Sequence, residues 1–265
     1  MDKLTIIDSS SIYYQVAAGA EYFKWSLDET LIVAVSAFEN ILEATKADYY
    51  IACGDKGKNT FRHRLLPDFK ADRKFVPLPF IKEMKEHTSK VFNIVSSVDL
   101  EADDLIVLYY EYYRNTYDCT LASIDSDIRQ YAAKFYNYKK DKKFFEVITD
   151  KDASRILWSF ALGGSHNGLK GITGCGAKCT EGYFSKFTPA QFHLATINAY
   201  INGIDKTKYE VPRNVTGFGL LKGVHEFYKN FVSTYLIRTK EELDYLGIEF
   251  EFIKPIKIQK GDDLF

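Results

Sequence analysis

The sequence predicts an α/β fold with a mostly parallel central sheet, flanking helices, a basic insertion and a helical C-terminal lobe. Three observations carry that expectation. Short apolar runs rich in β-branched and aromatic residues alternate with segments of 3.6-residue hydrophobic period, as crossover-connected parallel strands require. Each apolar run ends in an acid: Asp8, Asp55, the Glu101 cluster and then Asp125. Beyond about residue 150 the strand signals stop and helical patterns take over.

The opening "KLTIIDSSSIYY" reads as a strand over Leu4 to Ile7 that closes on Asp8 and a serine cluster. Residues 28–46 carry a helical period with Asp28 placed to cap it. "ADYYIACGD" is a second strand, ending in Asp55. From Lys56 to Lys90 there are ten Lys or Arg against four Asp or Glu, with no strong period until a helix at 79–92. An excursion of that length exceeds the usual connection of about 2–6 residues, and its charge suits phosphate contacts. A third strand at about 91–97 leads to Glu101, Asp103 and Asp104, which fall just before "LIVLYYEYY". Three carboxylates in the first turn of a buried helix repel one another, and the helix dipole offsets only about 0.3–1 kcal/mol of that. Hard divalent cations, which take oxygen ligands, are the natural neutraliser. A fourth strand through "CTLASID" delivers Asp125 and Asp127, spaced to point into one cleft if the backbone is extended. A short helix and the edge strands "KFYNY" and "FFEVI" follow.

Six glycines lie between 163 and 176, after a helix that opens at Thr149 or Asp150. Gly174-Cys175-Gly176 before Lys178 presents either a phosphate-binding turn at a helix start or a close-packed connector. Residues 189–247 read as helical, and 248–265 form a tail ending in Asp-Asp-Leu-Phe, which either packs on the body or acts as a small peptide ligand.

Composition bounds the alternatives. The chain has 265 residues, 46% of them apolar and 27% charged, with a net charge of −1, so a disordered chain and a wholesale basic coat are both excluded. No apolar run approaches the roughly 20 residues of a membrane span and there is no leader pattern, so an intracellular, cytoplasmic protein is expected. The four cysteines lack paired metal-ligand spacing and read as buried thiols.

The ordered string "IIDSS", "CGDKGKNTFRHRLLPDFKADR", "LEADDLI", "SIDSDIRQ" and "GITGCGAKCT" resembles the flap endonuclease and 5′ nuclease family, over roughly residues 4–185. The resemblance implies a structure-specific 5′-3′ exonuclease or flap endonuclease. Its core would span 1–149 with an arch at about 56–98, followed by a DNA-binding lobe at 150–247 with a helix-two-turn-helix, and the tail at 248–265. It implies Mg²⁺ or Mn²⁺ ligands at Asp8, Asp55, Glu101, Asp103, Asp104, Asp125 and Asp127, and a K⁺ ion at the helix-two-turn-helix. Catalytic roles fall on Lys70, Arg73, Asp103 and Asp125. DNA contacts fall on Arg62, Arg64, Lys82, Lys85, Lys90, Gly174, Gly176 and Lys178. The implied partners are DNA with a 5′ flap, nick or 5′ end, an RNA·DNA hybrid, and a sliding clamp or single-strand binding protein at the tail; the expected state is a monomer in a bacterial or phage-infected cell. One departure stands out: Gly164 and Asn167 occupy positions where the family carries two further aspartates, so one metal site is well ligated and the other depleted. The rival is a structure-specific DNA-binding protein that kept the fold with weak or no catalysis.

Overall fold

The computed structural model describes residues 1–57, 59–71, 77–139, 143–163 and 171–258. The first strand, β1 (Lys3–Asp8), is buried from Leu4 onward, as a strand covered on both faces must be. The helix α1 (Ser9–Phe23) starts directly on it, with Asp8 as its N-cap accepting from the Ser11 amide at 3.0 Å. The serine cluster that follows the strand is therefore a helix's first turn. The next helix, α2 (Leu27–Thr45), is capped by Ser26 in a reciprocal box with Glu29, while Asp28 lies inside its first turn. Removing that cap by Ser26→Ala should lower stability by about 1 kcal/mol, read as a shift in urea midpoint at unchanged slope; no shift would mean that tertiary packing alone fixes this end.

The chain continues through β2 (Tyr49–Asp55), α3 (Phe61–Leu65), α4 (Ile81–Phe92), β3 (Val95–Ser97), α5 (Ala102–Tyr113) and β4 (Asp118–Ala122). A 3₁₀ turn at Asp127–Gln130 leads into the hairpin of β5 (Lys134–Asn137) and β6 (Phe144–Val147). The helical remainder comprises α6 (Asp150–Gly163), α7 (Ala177–Phe184), α8 (Phe192–Asn202), α9 (Lys206–Tyr209), α10 (Leu220–Thr234) and α11 (Lys240–Tyr245), and β7 (Ile256–Lys257) closes it.

The strands order as β3-β2-β1-β4-β5-β6, with β7 antiparallel to β2 and β6 antiparallel to β5; the other pairs are parallel. The chain moves outward from β1 through β2 to β3 and then crosses to β4 on the other side. The carboxyl edge at β1 and β4 is thus the topological switch point, where open α/β sheets bind ligands. On one face Ile12, Val16, Phe38, Met84 and Phe92 from α1, α2 and α4 form the core, and on the other Leu105, Leu108 and Tyr109 of α5 do so together with Ile237 and Leu243. A third cluster joins Leu162, Tyr183, Phe192 and Tyr200 in the helical part.

Two stretches whose place the sequence leaves open are located. The helix α4 is part of the body: it buries Met84, Thr88 and Phe92, and Thr88 hydrogen-bonds the Tyr13 hydroxyl at 2.6 Å. The tail packs as far as Ile258, with Phe252 stacked on Tyr112 at 4.2 Å and the Tyr113 hydroxyl donating to the Ile253 carbonyl at 2.8 Å; residues 259–265 lie outside the described residues. Among the described residues no helix is long and apolar enough to cross a membrane.

Candidate metal centre

Every acid predicted at a strand end except Asp104 opens onto one cleft. A cavity of about 170 Å³ is lined by Asp8, Asp55, Glu101, Asp103, Asp125 and Asp127, with Lys70 and Arg62 on one side and Ser233 and Thr234 of α10 on another. The placement follows from the topology. Asp8 ends β1 and Asp55 ends β2; Glu101 is the N-cap of α5 with Asp103 in its first turn, and Asp125 and Asp127 follow β4 across the switch point.

Asp8, Asp55 and Asp125 make hydrogen bonds with groups outside the predicted set, whereas Glu101 is held by two residues within it. Asp8, 2% exposed, accepts from the Ser11 amide and hydroxyl and from the Ser123 hydroxyl at 2.7 Å. The Asp55 carboxylate takes the Ala102 amide at 2.8 Å, which ties β2 to the start of α5. The Ser10 hydroxyl accepts the Asp55 amide at 3.0 Å. The Ser123 hydroxyl also accepts the Asp125 amide at 2.9 Å, and the Asp125 carboxylate accepts the Asp127 amide at 2.9 Å. Glu101 faces two cations, the Lys70 ammonium and the Arg62 guanidinium, the latter at 3.1 Å. Three serines directly after a strand-end aspartate were the available signal for the Asp8 cradle; nothing local marks Ser123.

Two predicted site residues take different roles. Asp104 is fully buried and Arg62 equally so, and they form a two-pronged ion pair at 2.6 and 2.7 Å. Arg62 also donates to the Val232 carbonyl at 3.2 Å and to the Tyr235 carbonyl, while Asp104 accepts the Ile237 amide at 3.1 Å. In this arrangement the Arg62 donors are all engaged within the protein, and Asp104 faces away from the cleft into a clamp on the chain after α10. Burial works against the Arg62 charge, but Asp104, with Glu101 and Asp103 behind it, outweighs burial and raises its pKa.

The other predicted residues are scattered. Arg64 is exposed and paired with Asp99 at 2.6 Å. Lys82 and Lys90 lie exposed on α4, and Lys85 donates to the Asp55 carbonyl at 3.1 Å. Gly174 adopts φ 92°, Gly176 is the N-cap of α7, and Lys178 is exposed in that helix's first turn. Arg73, Gly164 and Asn167 lie outside the described residues.

The electrostatics ask for a cation. Burial pushes the Asp8 carboxyl up to about 6, against the pull of Ser11 and Ser123 and with Asp55 adding repulsion. Burial, then Asp125, Asp8, Glu101 and Asp55, push Asp103 well above the ordinary carboxylate range. An all-carboxylate donor set whose members resist ionising together fits a hard, oxygen-preferring divalent ion. As the side chains stand, with Glu101 turned to Lys70 and Arg62, no group of three or more of them among the described residues is drawn together tightly enough to hold one.

This makes a linkage prediction. Asp8 titrates at about 6 when folded against 3.8 in the unfolded chain, so the folded state takes up a proton first as pH falls. The metal-free protein should therefore gain stability as pH drops through 6, levelling off near the unfolded pKa. Thermal unfolding between pH 7 and 4.5 would show this as a wild-type gain that Asp8→Asn lacks, and parallel curves for the two proteins would contradict it. Mg²⁺ should raise the midpoint more at pH 7 than at pH 5.

Comparison with known proteins places these observations. Residues 3–155 match the profile of the family described as 5′-3′ exonuclease, N-terminal resolvase-like domain. A 5′-3′ exonuclease of Bacillus subtilis (strain 168) is 27% identical over 165 residues, a stretch that spans 56% of this chain and 53% of that protein. Among solved structures, a T5 5′-exonuclease with bound divalent zinc ions superposes with a TM-score of 0.63 at 18% identity, covering 88% of each chain. The bacteriophage T5 flap endonuclease, in a pseudo-enzyme-product complex with DNA and metal ions, does so with the same TM-score, identity and coverage, 0.63, 18% and 88%. At that identity the likeness concerns the fold.

Proposed function

The chain belongs to the 5′-3′ exonuclease family of N-terminal resolvase-like domains, and from that premise we propose that it is a divalent-metal-dependent, structure-specific 5′ nuclease acting on DNA with a 5′ flap, nick or free 5′ end. The observation that carries the reading is the convergence of six carboxylates from separate segments on one cleft at the sheet's switch point, with Lys70 at its rim.

Asp8, Asp55, Glu101 and Asp103 would hold a first Mg²⁺ or Mn²⁺, and Asp125 and Asp127 a second, weaker one, since Gly164 and Asn167 bring no carboxylate. Bound there, such ions supply Lewis acidity and a water of lowered pKa. The chain's own residues do the rest. The Asp55 carboxylate and the Ala102 amide fix the first turn of α5, so that Asp103 and Glu101 face the cleft from a rigid helix end. Ser11 and Ser123 hold Asp8 in one orientation. The Lys70 ammonium, paired with Glu101 at the cleft, would balance the negative charge that gathers on a phosphate under attack, and Arg73, three residues on, is proposed to share that duty. The exposed Arg64, Lys82, Lys90 and Lys178, and the amides of the Gly174–Gly176 turn, are proposed to hold the backbone through phosphates, with affinity falling steeply with salt. The α6-turn-α7 segment would serve as the helix-two-turn-helix, with K⁺ at the turn.

The test is digestion of a 5′-flap and a nicked duplex, with and without Mg²⁺, by wild type and Asp103→Asn. Magnesium-dependent product from wild type, cut by at least a hundredfold in the variant, is expected; clean wild type that yields no such product defeats the assignment. A second reading, a structure-specific DNA-binding protein with weak catalysis, is favoured by Gly164 and Asn167, which bring no carboxylate to the second ion. It predicts flap binding without cleavage. Substituting an RNA·DNA hybrid in the same assay sets the range of substrates. A monomeric protein acting in the cytoplasm, with a clamp or single-strand binding protein at residues 259–265, completes the proposal.

A further inference from the structure

Outside the cleft, two cysteines meet at the turn before α7. Cys175 stands one residue ahead of the Gly176 cap and Cys179 in the helix's first turn, and their sulfurs lie 2.8 Å apart. From this geometry we infer that Cys175 and Cys179 form a reversible redox site, a dithiol that a low-molecular-weight disulfide converts to an intramolecular disulfide across the turn.

The surroundings support the chemistry. Cys175 donates its thiol hydrogen to Cys179. That bond, helped by the nearby Arg213 and opposed by burial, lowers the Cys179 pKa, while the same bond and burial raise that of Cys175. A helix's first turn and a neighbouring arginine are the settings that make a cysteine nucleophilic. Both sulfurs are buried, at 2% and 3% exposure, yet Thr173, Gly176, Ala177 and Lys178 around them are exposed, so a small local opening of the turn reaches them. The step balances. The Cys179 thiolate attacks one sulfur of the external disulfide and expels one thiolate. Cys175 then loses its proton to solvent and attacks Cys179 Sγ, expelling the second; two protein thiols are oxidised and one external disulfide is reduced to two thiols. Cys53 and Cys119 are not paired this way: both are buried in strands, and burial raises both thiols.

The consequence falls on the turn. Cys175 lies between Gly174 and Gly176, and its carbonyl packs on Gly163 so closely that a Cβ there would meet it at 2.1 Å. With Gly163 blocking one side and the Arg213 Nε donating to the Gly174 carbonyl at 3.2 Å on the other, drawing the sulfurs together re-aims the Gly174–Gly176 amides. This last point rests on the proposal that the turn grips duplex phosphates.

The experiment incubates the full chain, natively folded, with oxidised glutathione, alkylates the remaining thiols and maps the peptides. A Cys175–Cys179 crosslink that dithiothreitol reverses is expected, with Cys53 and Cys119 still free; Cys175 and Cys179 recovered as free thiols, or only as glutathione adducts, would overturn the site. Cys179→Ser should block the crosslink. In a second arm, binding of blunt duplex in the presence of a chelator should weaken at least threefold on oxidation of wild type and stay constant in Cys179→Ser. A crosslink with unchanged duplex affinity would overturn the coupling to the turn. Failure of the reduced protein to bind duplex at all would instead count against the proposed function.

Discussion

Replacing Arg62 by methionine should lower the stability of the folded chain by about 3–5 kcal/mol, a large share of the roughly 5–15 kcal/mol that a domain has. The loss comes from what is left behind. Asp104 is fully buried, and without the guanidinium it keeps only the Ile237 amide at 3.1 Å and the Glu101 amide at 3.2 Å against a full negative charge. Arg62 also leaves the Val232 and Tyr235 carbonyls short of a donor. The same substitution made together with Asp104→Leu should restore much of the loss, because a buried pair replaced as a whole by apolar groups is often close to neutral. Urea unfolding of the two single variants and the double variant gives the coupling directly. An Arg62→Met loss under 1 kcal/mol would show that the pair is not the clamp described here.

That residue also shows where sequence reading reaches its limit. The acids could be read from the sequence because each follows a strand, and strand ends are marked locally by apolar runs; Asp8, Asp55, Glu101, Asp103, Asp125 and Asp127 accordingly all line the cleft. Asp104 sits in the same motif but its role is set by contact with residues 62 and 237, at separations of 42 and 133 positions, which no local pattern encodes. Arg62 lies in a basic stretch and so reads as a DNA contact, although its neighbour Arg64 is the one left at the surface. The sheet was legible for the same reason as the acids. The α1 helix was not, because three serines after an aspartate look like a turn until Asp8 is seen to cap the helix that they begin. The α4 helix was legible as a helix but its packing was not, because lysines dominate its composition while Met84, Thr88 and Phe92 decide where it packs.

Lys70→Met should tighten metal binding while slowing turnover. The Lys70 ammonium lies on Glu101, one of the carboxylates proposed to hold the first ion, so in the metal-free protein it competes with that ion for the same oxygens. Removing it frees a donor and removes a like charge, and the metal concentration at half-maximal activity should fall several-fold. Turnover should fall at the same time by about 10²–10³, the usual effect of removing one fixed group that stabilises charge as it develops on the reacting centre. The remaining Arg62–Glu101 contact at 3.1 Å keeps Glu101 from swinging free, so the change is confined to charge. Single-turnover cleavage of a 5′-flap across a Mg²⁺ titration separates the two effects, since the plateau reports chemistry and the midpoint reports the ion. A variant with a wild-type plateau would show Lys70 to be a structural counter-charge that the ion displaces. A lowered plateau with a midpoint shifted to higher Mg²⁺ would show that the ammonium helps to arrange the carboxylates, and the competition between Lys70 and the ion for Glu101 would have to be abandoned.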